Sequence, residues 1–220
     1  RNNISEPIPK IAVILNDFSM NMEMNEVNNI YNEKASNFGS VDIDMFKNIS
    51  ADKLKNILKN NYELVHFIGH CDSNGLNCNK DYLNSKEIDV VNTKIFFLNA
   101  CNSYEVGLRL VDKGSMGGVA TINKILDSSA LKVGALFSQL ITTGYPIKNA
   151  LEISQNSFLV KNYLSIGEGS YGIFQGENNS PSEYYLNQIG NNNFEITIKT
   201  PQIKSKGGIC QTYFSKVTKQ

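Results

Sequence analysis

The chain has no tryptophan, two histidines, five prolines and four cysteines among its 220 residues, and neither sign of charge is in excess, with 21 Lys+Arg against 21 Asp+Glu. Each scarcity removes a class of explanation. A formal net charge of zero leaves no global field to recruit nucleic acid or an anionic membrane, so neither is expected as a partner. Cys71, Cys78, Cys101 and Cys210 are too few and too unevenly spaced for a disulfide scaffold, which points to a reducing, cytoplasmic setting. Runs such as IAVIL and IFFL are far shorter than the roughly 20 apolar residues that span a bilayer. The opening RNNISEPIPK starts on Arg1 and has no apolar signal core, so it reads as a processing boundary, with room for a regulatory domain outside it. What remains is 41% hydrophobic residues, enough for one globular domain with a substantial core. Asparagine, at 30 positions, is spread through segments with clear apolar periodicity and so marks compositional bias on a folded domain.

Apolar runs alternate with helical patterns along the chain. Ile11–Leu15 is a continuous apolar run, as in a parallel strand buried on both faces, and polar MNMEMNEVNN follows it. Val41–Phe46 alternates as a strand, and Ser50 offers an N-cap to a helix carrying Leu54, Ile57 and Leu58. Strands are expected at Leu64–Gly69, Thr93–Ala100 and Gly117–Ile122, with a polar hairpin around Asn74-Gly75. Helices are expected from about Tyr104 to Lys113, from Asp127 or Ser128 as the cap to Gly144, and from Pro146 onward. Tyr171–Gln175 reads as a last short strand. The expected fold is α/β, a three-layer α/β/α sandwich with a mainly parallel sheet over residues 1–179 and a C-terminal β extension over 180–220, packed on the same domain, with NFEITIKT and GICQTYF as strands.

The two histidines stand four apart at His66 and His70. In a strand that interval spans about 13 Å, too far for one zinc ion, and a site of His70, Cys71 and Cys78 lacks a paired CxxC and a fourth ligand. No metal or other cofactor is therefore expected. Functional residues of an open parallel sheet gather beyond the carboxyl ends of the strands. His70 ends one expected strand and Cys101 the next, the placement a Cys/His pair needs, with a helix start near Cys101 to favour the thiolate nucleophile. The backbone N–H groups of Cys71 and Cys101 are then candidates for an oxyanion hole. A doubly wound nucleotide-binding domain is disfavoured, because ILNDFSMN stands where a glycine-rich phosphate loop belongs.

VHFIGHCDSNG and FFLNACNS resemble the His and Cys motifs of the CHAT family, caspase-like peptidases of the clan that also holds separase, gingipain and clostripain. The stretch from GLRLVDKGSMGGVATINKILDSSALKVGALF to NALEISQ follows the same order, so the resemblance covers roughly Ile11–Gly176. It implies a caspase-like fold and metal-free cysteine endopeptidase activity on a protein or peptide substrate, with His70 as catalytic histidine and Cys101 as nucleophile. His66 falls on a non-catalytic strand position and reads as core. Three departures stand out: Cys71 replaces the usual glycine after the histidine, Lys124-Ile125-Leu126 replaces the frequent Trp-Pro, and the interval from Cys101 to Asp127 is short. LNACNS does not match the caspase signature, and Arg109 lies in the following helix, which disfavours an acidic P1 residue. Asp127 is the candidate S1 carboxylate for Lys or Arg, or alternatively a helix N-cap; Asp72 and Asp17 are weaker pocket candidates. Lys80 and Lys204 are candidate self-cleavage sites. A catalytically silent caspase-like scaffold is the rival reading.

Overall fold

The computed structural model describes residues 8–38, 41–173, 183–188, 194–202 and 211–217. Its centre is a six-stranded sheet of β1 (Lys10–Leu15), β2 (Asp42–Lys47), β3 (Leu64–Ile68), β7 (Ile95–Asn99), β8 (Gly117–Thr121) and β9 (Tyr163–Gly167), in the order β2-β1-β3-β7-β8-β9. All neighbours are parallel except β9, which runs antiparallel to β8. Between β3 and β7 the chain makes a small antiparallel excursion of β4 (Cys71–Asp72), β5 (Gly75–Cys78) and β6 (Asp81–Leu83).

Five helices cover the two faces. On one face α2 (Ala51–Lys59) and α3 (Tyr104–Asp112) bury Leu54, Ile57, Leu58, Val106 and Leu110 against Val65, Phe67, Phe96 and Leu98. On the other α1 (Asn21–Phe38), α4 (Asp127–Thr142) and α5 (Ile147–Phe158) bury Val27, Tyr31, Val133, Phe137 and Leu151 against Val13, Ile68 and Phe97. Covering both faces is why β1, β3 and β7 are buried at nearly every position and read as continuous apolar runs. The expected three-layer α/β/α sandwich with a mainly parallel sheet is the observed fold.

Several local expectations differ. The polar MNMEMNEVNN stretch, to which the sequence assigned no element, lies in α1 from Asn21 onward, because Met24, Val27 and Tyr31 recur at helical spacing on its buried side. Residues 171–173 are not a strand; the edge strand is β9, which buries Tyr163 on one face of the sheet and Ile166 on the other. The remaining positions of the expected Tyr171–Gln175 strand lie outside the described residues. Pro146 is the N-cap of α5 rather than a first-turn residue. In the tail, β11 (Phe194–Gln202) and β12 (Gln211–Val217) fall on the two expected strands, and β10 (Glu183–Gln188) joins them in a separate antiparallel sheet.

Candidate functional site

The site is set by strand register. Leu15 of β1 lies beside Ile68 of β3, and Ile68 beside Asn99 of β7. The ladder continues past the strand ends, with Asn16 N–H donating to Ile68 C=O (2.9 Å) and Gly69 N–H to Asn99 C=O (3.2 Å). Two residues beyond that register stand Asp17, His70 and Cys101, one just past the end of each of three adjacent strands. Val13, Leu15, Ile68 and Phe97, of the same parity within the strands, lie in the core under α1, α4 and α5; Asp17 stands at the entry to α1, and Cys101 touches Ile125 ahead of α4.

His70 is more than half exposed, and its Nε2 lies 2.5 Å from Asp17 Oδ2. Asp17 also accepts hydrogen bonds from the Ser19 N–H (2.9 Å) and hydroxyl (2.8 Å), which hold its carboxylate at the entry to α1. Partial burial pushes the Asp17 pKa up, but the Ser19 hydrogen bonds and the charge of His70 outweigh it, and the net direction is down from 3.8. Asn16 anchors the same turn: it accepts from Ile49 N–H (2.8 Å) and donates to Ile49 and Asn77 carbonyls (both 3.3 Å). With Nε2 turned to Asp17, the Nδ1 of His70 carries no hydrogen bond among the described residues.

Cys101 is half-buried in a turn ahead of α3. The next residue, Asn102, adopts a left-handed backbone (φ 53), which asparagine tolerates better than most side chains. Thr121 of β8 pins the turn, its hydroxyl donating to Ala100 C=O (2.5 Å) and its N–H to Ser103 Oγ (3.1 Å). The thiol packs on the backbone of Ile125, whose N–H donates to Sγ at 3.4 Å. The hydrogen bonds of Cys101 therefore run to the loop ahead of α4 and not to His70.

The other predicted residues fall into three groups. Cys71 begins β4; its side chain lies in the α2/α3 core and its S–H faces the Asn102 carbonyl at 3.8 Å. Burial, with Asp72 and Cys101 nearby, pushes its thiol up to about 12. Asn77 N–H donates to His70 C=O (2.9 Å), making Cys71–Leu76 a non-hydrogen-bonded pair and leaving the Cys71 N–H outside the ladder. Its backbone is not left-handed, so no glycine is needed there. Asp127 is the exposed first residue of α4, and the cap alternative is corrected: the N-cap is Leu126, with no side-chain cap bond. Asp72 spends Oδ1 on the Asn74 N–H (2.7 Å) in the hairpin turn, and Arg109 is engaged with Ile88 C=O and Asp112. Cys78 is buried in the same core as Cys71, while His70 is more than half exposed and turned to Asp17. Among the described residues no group of three or more His, Cys, Asp or Glu is gathered to hold a metal ion. Nor is any described helix long and apolar enough to cross a membrane. His66 is fully buried, as expected. Lys80 is exposed at a tight turn, and Lys204 lies outside the described residues.

Sequence reasoning ranked Asp17 only as a weak pocket candidate and missed its pairing with His70. The signal was available, because Asp17 follows the apolar run ending at Leu15 at the same two-residue offset as His70 follows the run ending at Ile68.

This architecture is the caspase-like α/β fold. No family model matches the chain, and no curated protein matches it. Among solved structures it is similar to the Arg specific cysteine proteinase gingipain R, at 10% identity and a TM-score of 0.59 over 89% of this chain and 58% of that one. It is also similar to the complex of Porphyromonas gingivalis RgpB pro- and mature domains, at 8% identity and 0.56 over 88% and 55%. A third likeness is to the Saccharomyces cerevisiae separase–securin complex, at 13% identity and 0.55 over 72% and 12%. The chain thus spans little more than half of the gingipain chain and a small part of the separase complex chain.

Proposed function

We propose that this protein is a cysteine endopeptidase in which Cys101 is the nucleophile, His70 the proton-transfer group and Asp17 the residue that orients the imidazole. The observation that carries the reading is the placement of Asp17, His70 and Cys101 at one level just past the ends of adjacent strands, with Asp17 already bound to His70. The resemblance of the two motifs to the CHAT family agrees with it, and so does the likeness to an Arg specific cysteine proteinase.

Cys101 gives its S–H proton to His70 Nδ1 as its sulfur attacks the scissile carbonyl carbon, and the backbone N–H groups of Cys71 and Cys101 take the oxyanion. His70, held through Nε2, presents Nδ1 to protonate the departing amine as the C–N bond breaks. The same nitrogen then takes a proton from water, which attacks the thioester and restores the thiol. Asp127, exposed two residues beyond the Ile125 that touches Cys101, is the candidate carboxylate for a Lys or Arg at P1. The substrate is a protein or peptide, and a regulatory partner protein fits a site this open.

One observation favours a second reading, a silent scaffold: Cys101 Sγ is bonded to Ile125 and not to His70. Profiling on a peptide library with Cys101→Ala as control separates the two. Cleavage after Lys or Arg by the parent and none by the variant supports the peptidase; no cleavage by either supports the scaffold, and equal cleavage by both removes Cys101 as the nucleophile.

A further inference from the structure

Beneath the three strand ends, on the face of the sheet covered by α1, α4 and α5, lies a buried polar network that the proposed chemistry does not use. Asn99 closes β7 two residues before Cys101 and is 1% exposed. Its Nδ2 donates to Glu23 Oε1 of α1 and to the Ala130 carbonyl of α4 (3.0 Å), and its Oδ1 accepts from the Tyr163 hydroxyl of β9 (2.5 Å). Both N–H donors of that carboxamide and one of the two acceptor positions on its oxygen are thus committed, to three different elements. Glu23, 2% exposed, lies 3.4 Å from His66 Nε2, a contact aligned too poorly to be a hydrogen bond. His66 Nδ1 in turn meets Ser138 Oγ (3.3 Å) and the Tyr31 hydroxyl (3.4 Å), which itself donates to Ser138 (3.0 Å). Gly134 makes room for the carboxylate, since a Cβ there would stand 2.6 Å from Glu23 Oε1.

A buried network of this kind costs desolvation that an apolar core would avoid. What the geometry obtains from it is a fixed relation between two short segments. One is the turn from Asn99 to Cys101. The other is the start of α4, where Ala130 accepts from Asn99 and, five residues earlier, Ile125 donates to the Cys101 sulfur. These two contacts clamp Cys101 between β7 and the loop that leads to Asp127.

We infer that Asn99 is a positioning residue for this site, its carboxamide locked by Glu23 and Tyr163 so that the Cys101 turn and the first turn of α4 hold one relative position. The inference rests on Cys101 being the reactive thiol. Glu23 acts on Asn99 as an acceptor oxygen, so an amide in its place retains the function, whereas an apolar side chain does not.

The test compares the parent with Tyr163→Phe, Asn99→Ala, Glu23→Gln and Glu23→Leu. Three measurements are made: thermal melting, kcat and KM on a peptide substrate, and the alkylation rate of Cys101 by iodoacetamide, followed by mass spectrometry. Tyr163→Phe removes one hydrogen bond and keeps the ring, so it keeps the test open if Asn99→Ala does not fold. Expected for Tyr163→Phe is a fall of about tenfold in kcat with KM little changed, since a small misplacement well away from the chemistry costs up to about 10²-fold. The alkylation rate moves away from the parent's while the protein stays folded, and Glu23→Gln lies nearer the parent than Glu23→Leu in both kinetics and alkylation. Folded Tyr163→Phe and Glu23→Leu proteins with parental kcat and parental alkylation overturn the positioning role. A parent that cleaves nothing overturns the peptidase reading instead, and the alkylation rates then decide the positioning role on their own.

Discussion

Asp17 answers to three groups at once, the Ser19 backbone and hydroxyl and the His70 ring, and they favour its charged form more than partial burial opposes it. A carboxylate whose folded pKa lies below its unfolded 3.8 contributes stability that is fully present above that value and is lost as pH falls through the lowered folded value. Asp17→Asn is therefore expected to be less stable than the parent at neutral pH and to converge with it as pH falls below 3.8 and through the lowered folded value, checked by urea denaturation across pH. The same variant is expected to lower kcat/KM by on the order of 10²-fold, because a well-placed proton-transfer group supplies about 10²–10⁴-fold. Cys71 has the opposite sign. Burial raises its thiol from 9.0 to about 12, so its contribution is intact below about pH 9 and is lost as pH climbs from 9 toward 12. Cys71→Ala is expected to flatten the alkaline loss of stability, and in the native parent at pH 8 Cys71 is expected to resist alkylation that reaches it in urea. At this scale the positions of His70 and Cys101 just past the ends of neighbouring strands were legible from sequence, because each follows an apolar run that reads as a buried strand. The partners of Asn99 were not: Glu23 lies 76 residues away in the chain, and nothing local encodes that pairing.

Among elements, α4 separates a stability role from a binding one within two residues. Leu126 is its N-cap, 75% exposed and without a capping side chain, so the first N–H groups of the helix lack the acceptor that Ser or Asp would give. Leu126→Ser is expected to raise stability by about 1 kcal/mol, the usual worth of such a cap, read as a shift in the urea midpoint. Asp127→Ala, one residue on, is expected to weaken cleavage after Lys or Arg by at least about tenfold through KM, with a stability change below about 0.5 kcal/mol because the side chain caps nothing. Equal loss at every P1 residue would remove Asp127 from the pocket. The Asp-Ser-Ser start of α4 invited the cap reading from sequence, and the structure shifts the boundary by one residue, the usual error where propensity alone sets a helix end. The β4–β5 turn was legible for a firmer reason: Gly75 has φ +121, and a Cβ there would stand 2.1 Å from the Leu83 carbonyl. Helix α1 was hidden because its asparagines are weak helix formers, and packing of Met24, Val27 and Tyr31 overrides them.

For the molecule as a whole, the central sheet is shared by two cores, one under α2 and α3 and one under α1, α4 and α5. Neighbouring residues of one strand serve both, since Phe96 points into the first and Phe97 into the second. Neither layer can lose its packing while the strand stays ordered, so unfolding is expected to be a single transition of the sheet and both layers. Phe96→Ala and Phe97→Ala, each emptying a fully buried site, are expected to cost about 3–5 kcal/mol apiece, and the far-ultraviolet circular dichroism and tyrosine fluorescence transitions should shift together in both. The two differ in what they do to the site. The Phe97 ring lies 4.8 Å from His66, 4.5 Å from Phe137 and 5.7 Å from Tyr163, within the polar network below Cys101, whereas Phe96 faces away from it. At a temperature where both variants remain folded, Phe97→Ala is expected to lose kcat well beyond Phe96→Ala at equal stability. If the two lose activity in step with stability alone, the face carrying the site has no privileged link to its chemistry, and the network beneath Cys101 serves the fold and nothing more.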